Sequence, residues 1–150
     1  MAQPLLQARI DIDAPQAKVW GLVSDLRLMP RWSPQCRVMK AFGPLRAGTR
    51  TVNVNRRGLL FWPTTSQVTE FIPERKLAFR VNANNTVWTY ELTPTATGTL
   101  LVESRHAENG VKAASNLVVS ALFGGVPSFE DELIEGMNLS LARIKDAAES

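Results

Sequence analysis

A carboxylate and a guanidinium two residues apart on one predicted strand are the pair in this chain best suited to chemistry. Side chains alternate between faces over residues 99–107, so Glu103 and Arg105 share one side while Leu100, Val102, Ser104 and His106 share the other. Counting apolar residues alone slightly favours the His106 side as interior. If the Glu103 side faces inward instead, an acid beside Arg105 can orient a carbonyl or take a proton next to one. The plainer role for the same two residues is an ion pair. His106, the sole histidine, reads as a strand-end residue, and Cys36, the sole cysteine, as a small inert apolar one. CxxC pairs, a Walker loop, a GxSxG elbow, a GxGxxG fingerprint and histidine clusters are absent, and no serine is marked as a partner for His106. Neither a metal, a cofactor nor a nucleophilic triad is expected.

The elements that must position these residues follow from periodicity. Leu6, Ala8, Ile10 and Ile12 alternate with polar residues as in a strand with one buried face. Pro15 suits a first helical turn, Val19, Trp20 and Val23 form a helical face, and Asp25 caps or braces that helix. Residues 29–34, with two prolines, read as a second short helical turn or tight loop. Strand patterns cover 37–42 and 49–57, joined across Gly43-Pro44 and Gly48, then 59–71, then Leu77, Phe79 and Val81. A turn at 82–85 leads to Trp88, Tyr90 and Leu92, and a turn at 95–98 to the strand of Glu103. Between Gly110 and Gly125 a helical pattern runs through Val111, Ala114, Val118, Ala121 and Leu122, able to close a cavity mouth and admit ligands by moving. Residues 129–148 place Phe129, Leu133, Met137, Leu141, Ile144 and Ala148 along one side of a helix roughly 30 Å long. Ser128 stands at its predicted cap and Pro127 ends the preceding segment. The order predicts an α+β fold of one domain, 1–150: a curved antiparallel sheet of six to seven strands with two short helices after the first strand and a long C-terminal helix.

Composition bounds the function. With 45% apolar and 21% charged residues the chain is an ordinary globular protein. A net charge of +3, carried by isolated basic pairs such as Arg56-Arg57, lacks the stripe that nucleic acid needs. The stretch 117–126 is too short to span a bilayer. A lone cysteine and no signal-like amino terminus make a cytosolic setting the expectation, with no stable membrane insertion.

Ile10-x-Ile12-x-Ala14-Pro15, Val19-Trp20, Val23, Asp25, Pro30, Trp32, Ser33 and Pro34 together resemble the opening of the START/Bet v 1-like superfamily, and within it the polyketide cyclase/dehydrase group. Gly48-Thr49, Val68-Thr69-Glu70-Phe71, Trp88-x-Tyr90-x-Leu92, Gly98-Thr99, Glu103-Ser104 and Gly136-Met137 agree, so the resemblance covers essentially the whole chain. It implies a helix-grip fold, in which the sheet wraps the terminal helix and leaves a cavity. It also implies that Leu101 and Glu103 point inward, against the apolar count.

A dry cavity of roughly 300 Å³ would cost on the order of 7 kcal/mol at about 24 cal/mol per Å³. That rivals a whole domain's stability of roughly 5–15 kcal/mol, so the space is expected to be partly polar or filled. Trp62, Phe79, Trp88 and Tyr90 from the sheet are candidates for the lining, with Leu122, Phe129, Leu133 and Met137 from helical segments. The leading function is binding of a hydrophobic small molecule, lipid or polyketide-like. The alternative is a polyketide cyclase/dehydratase-like enzyme in the same cavity, with Glu103 and Arg105 assisting proton transfer.

Overall fold

The computed structural model describes residues 5–107 and 126–150. Seven strands form one antiparallel sheet: β1 (Leu5–Ile12), β2 (Cys36–Ala41), β3 (Arg50–Arg57), β4 (Leu60–Ile72), β5 (Lys76–Val81), β6 (Thr86–Pro94) and β7 (Thr99–His106). Their order is β1-β7-β6-β5-β4-β3-β2, so the chain meanders from β2 to β7 and the first strand closes on the last. Between β1 and β2 lie α1 (Gln16–Val23), a 3-10 turn (Leu26–Leu28) and α2 (Met29–Trp32); α3 (Val126–Glu149) ends the chain. The expected helical pattern between Gly110 and Gly125, Leu122 included, lies outside the described residues.

Two bulges bend the sheet. Register slips between Cys36 and Val38 on β2 and between Val68 and Glu70 on β4, and each extra residue adds local twist. The long β4 therefore curves, and a straight helix cannot follow it. α3 leans on β1, α1 and α2 and touches β7 only lightly. Met137, Leu141, Ile144 and Ala148 are each no more than 2% exposed, whereas Leu133, one turn earlier, is half-buried. The predicted stripe is thus packed over its C-terminal half, while Leu133 faces a cavity.

Two helix-end expectations are corrected. The described part of α3 begins at Val126, so Ser128 lies inside the helix and is not its cap. Pro127 likewise lies inside the described helix and does not stand before it. Asp25 caps the 3-10 turn, not α1: its carboxylate accepts from the Arg27 N–H at 3.2 Å.

The far end of the sheet is locked by backbone contact. Thr99 Oγ1 donates to the Ala14 carbonyl at 2.8 Å, and Asp13 N–H donates to Glu149 at 2.8 Å. Gly98 is squeezed into this corner: a Cβ there would lie 2.2 Å from the Ile12 carbonyl oxygen and 2.7 Å from the Ala14 nitrogen. Backbone cannot swing aside as a side chain can. Gly98→Ala is expected to lose about 1–3 kcal/mol or more in urea unfolding. Gly21→Ala, in α1 with nothing within 4 Å, is expected to gain up to about 1 kcal/mol in the same assay.

Candidate functional site

The gap between the bent sheet and α3 is a cavity of about 220 Å³. Strand parity supplies one wall. Thr86, Trp88 and Tyr90 point inward from β6, Glu103 and Arg105 from β7, Phe79 and Val81 from β5. α3 supplies the other through Leu133, Gly136, Met137 and Ser140, and Met29 of α2 closes one side.

Glu103 is 4% exposed, and its partner is Tyr90, directly across the β6–β7 ladder. The Tyr90 hydroxyl donates to Glu103 Oε2 at 3.1 Å and also lies 3.7 Å from Met29 Sδ. Glu103 Oε1 has no hydrogen-bond partner among the described residues. Burial pushes the Glu103 carboxyl from 4.5 up to about 8, with the Tyr90 hydrogen bond pulling the other way. At neutral pH the group is a neutral acid. Burial, with the adjacent Glu103, also holds the Tyr90 hydroxyl well above its ordinary range.

Arg105 does not meet Glu103. Its Nη2 reaches Glu130 Oε2 on α3 at 3.0 Å, with both side chains buried. Arg57 and Glu132 pair at 2.7 Å beside the cavity. Cys36 lines the cavity as well, and burial raises its thiol to about 11, well away from the reactive thiolate.

Among the residues expected at the site, Glu103, Arg105, Trp62, Phe79, Trp88, Tyr90, Leu133 and Met137 all line the cavity. Leu122 and the Phe129 side chain lie outside the described residues. His106 is exposed, so the inward face of β7 is that of Leu101, Glu103 and Arg105, as the resemblance implied and the apolar count did not.

One feature escaped sequence reading altogether. The inward residues of β3, and Thr64 and Ser66 of β4, are polar. Asn53 and Asn55 each donate to Thr64 Oγ1, at 3.2 and 3.0 Å, and Thr51 donates to Asn53 Oδ1 at 2.9 Å. The Thr51 and Ser66 hydroxyls also bond to each other. Asn53, Asn55 and Thr64 face the cavity. The available signal was Thr51-Val52-Asn53-Val54-Asn55, whose strict alternation leaves open which face is in. The cavity therefore joins an amide and hydroxyl wall, an apolar wall, the buried acid Glu103 and the buried Arg105–Glu130 pair.

Among the described residues no group of three or more His, Cys, Asp and Glu side chains could hold a metal ion, and no helix is long and apolar enough to cross a membrane.

Solved structures share this fold. The di-domain ARO/CYC BexL from the BE-7585A biosynthetic pathway superposes with a TM-score of 0.75 at 16% identity, over 97% of this chain and 50% of that one. The chain spans about half the length of BexL and of a second di-domain ARO/CYC, StfQ. A Polyketide_cyc-like protein of Corynebacterium glutamicum is 25% identical, with a TM-score of 0.65 over 94% of this chain and 88% of that one. A protein of Thermus thermophilus is 18% identical, with a TM-score of 0.69 over 97% and 99%. No curated protein matches significantly. The family described as polyketide cyclase / dehydrase and lipid transport matches residues 3–149. This chain, with its sheet bent around a terminal helix, belongs to that family.

Proposed function

We propose that the chain binds one small, mainly apolar molecule, of lipid or polyketide-like class, that carries a carbonyl or hydroxyl oxygen. The carrying observation is Glu103 Oε1, buried at the cavity wall without a protein partner among the described residues. Leaving such a group unsatisfied costs about 1–3 kcal/mol, so a ligand oxygen accepting from the protonated acid recovers that energy. Met29, Phe79, Leu133 and Met137 favour an apolar body, while Asn53, Asn55 and Thr64 favour further oxygens along one edge. A volume of about 220 Å³ is below the roughly 300 Å³ at which ligand clefts usually begin, which supports a ring-sized or short-chain guest over a two-tailed lipid. The single cysteine, with no disulfide to form, is consistent with a cytosolic setting.

A second reading rests on the same residue. An acid near pH 8 can both give and take a proton at neutral pH, which suits a cyclase or dehydratase that removes a proton beside a carbonyl. Arg105 is then a positioning residue, because Glu130 already offsets its charge.

Native mass spectrometry of freshly purified protein is expected to find a co-purified apolar compound, and that compound becomes the probe. Glu103→Gln keeps a donor and should hold affinity near wild type, whereas Glu103→Leu should weaken binding up to about tenfold. Equal affinity in all three proteins would remove Glu103 from the site. Turnover of the compound by wild type, abolished in Glu103→Gln with binding intact, would establish the enzymatic reading.

A further inference from the structure

Acidic residues are missing from the whole of residues 26–69. That stretch holds eight arginines and lysines and no aspartate or glutamate, leaving nine basic and fourteen acidic residues for the rest of the chain. It builds α2, β2, β3 and most of β4, so the charge gathers at one end of the sheet. Arg37, Lys40, Arg46, Arg50 and Arg56 are exposed and pair with no acid among the described residues.

At this end the β3–β4 hairpin projects an apolar tip. Arg57 pairs with Leu60, so the turn is only Gly58 and Leu59, and Gly58 has the positive φ of 62° that a tight turn asks of its first residue. Leu59 at the apex is 93% exposed and Phe61 57%. The Arg56 guanidinium lies 5.3 Å from the Phe61 ring centre, on the outer face. Asn55 and Trp62 face each other just behind the tip and line the cavity.

A protein partner needs a surface shaped to match its own, whereas a bilayer interface takes in a protruding leucine without any matching shape. Arg56 on β3 and Arg37 on β2 lie at the tip end of their strands, with Lys40 and Arg50 further along the same edge, and these cations complement anionic headgroups. We propose that the β3–β4 hairpin docks the chain on an anionic phospholipid bilayer. Leu59 and Phe61 enter the interface, Arg56 and Arg37 sit on headgroup phosphates, and the Asn55–Trp62 end of the cavity comes next to the lipid. Docking is independent of the ligand reading, because vesicles report on the hairpin whether or not the cavity is filled.

The test is co-sedimentation of the full chain with phosphatidylcholine vesicles, with and without phosphatidylglycerol. Binding is expected only to the anionic vesicles and is expected to weaken with salt. Leu59→Asp should reduce it on the order of tenfold or more, and Arg56→Gln about fivefold. Both variants should melt like wild type, since the two side chains are exposed. No binding to anionic vesicles at low salt overturns the proposal, as does wild-type binding by Leu59→Asp. Capture by polyglutamate without vesicle binding also overturns it and makes this end of the sheet a protein-docking surface.

Discussion

Glu103→Gln becomes more stable than the native chain as the pH rises from 5 to 8, by on the order of 4 kcal/mol across that interval. Glutamate in the unfolded chain ionises near 4.5, whereas in the fold Glu103 keeps its proton to about 8. Below 4.5 both states are protonated and the residue carries no penalty. Between the two values the folded state holds a proton that the unfolded state has released, so stability falls by about 1.4 kcal/mol for each pH unit. Above 8 both states are ionised and the slope vanishes. Glutamine has no proton to lose and can still accept from Tyr90. Urea unfolding of both proteins at pH 5 and pH 8 isolates this residue, because every other titration cancels in the difference. Parallel pH profiles for the two proteins would mean that Glu103 is ionised in the fold, and the neutral donor would have to be abandoned.

Arg105→Met is expected to cost about 3–5 kcal/mol, because it removes the guanidinium that sits 3.0 Å from a carboxylate buried with it. Glu130→Leu alone is also expected to destabilise, because it removes the carboxylate 3.0 Å from the buried guanidinium. The double variant should lose less than the sum of the two single changes, since an apolar pair carries no desolvation penalty. A urea double-mutant cycle reads this directly. Two single variants each within about 0.5 kcal/mol of wild type would mean that the pair does not hold α3 to β7.

Much of the scaffold is legible from local patterns. The alternation in Leu6–Ile12 and the turn glycines at 43 and 48, both with φ of 98°, report conformations that each short segment prefers by itself. The stripe from Met137 to Ala148 is equally plain, since every member ends fully buried. Its other end misleads: Leu133 has the right spacing but stands over the cavity, because bulges in β2 and β4 bend the sheet away. Those bulges have no signature in composition or spacing.

The site was legible in its members more than in its connections. Glu103 and Arg105 stand out as the charged pair of the last strand, yet Tyr90 partners one and Glu130 the other, from residues 13 and 25 positions away. No spacing rule reaches across a ladder or onto a helix after an intervening stretch of unrelated chain.

What the sequence determined by itself is the period of each segment, the places where the chain turns, and the kinds of group available: one histidine, one cysteine and no metal cluster motif. What only the tertiary structure decided is which side of β3 and β7 faces in. β3 turns its valines outward and its threonine and asparagines inward, and β7 buries Glu103 and Arg105 while exposing His106. A period of two is unchanged by a one-residue shift in phase, so it cannot choose a face. The usual tie-breaker, that apolar residues go inside, fails where neighbouring strands and a distant helix supply hydrogen-bond and charge partners that lower the cost of burying polar groups.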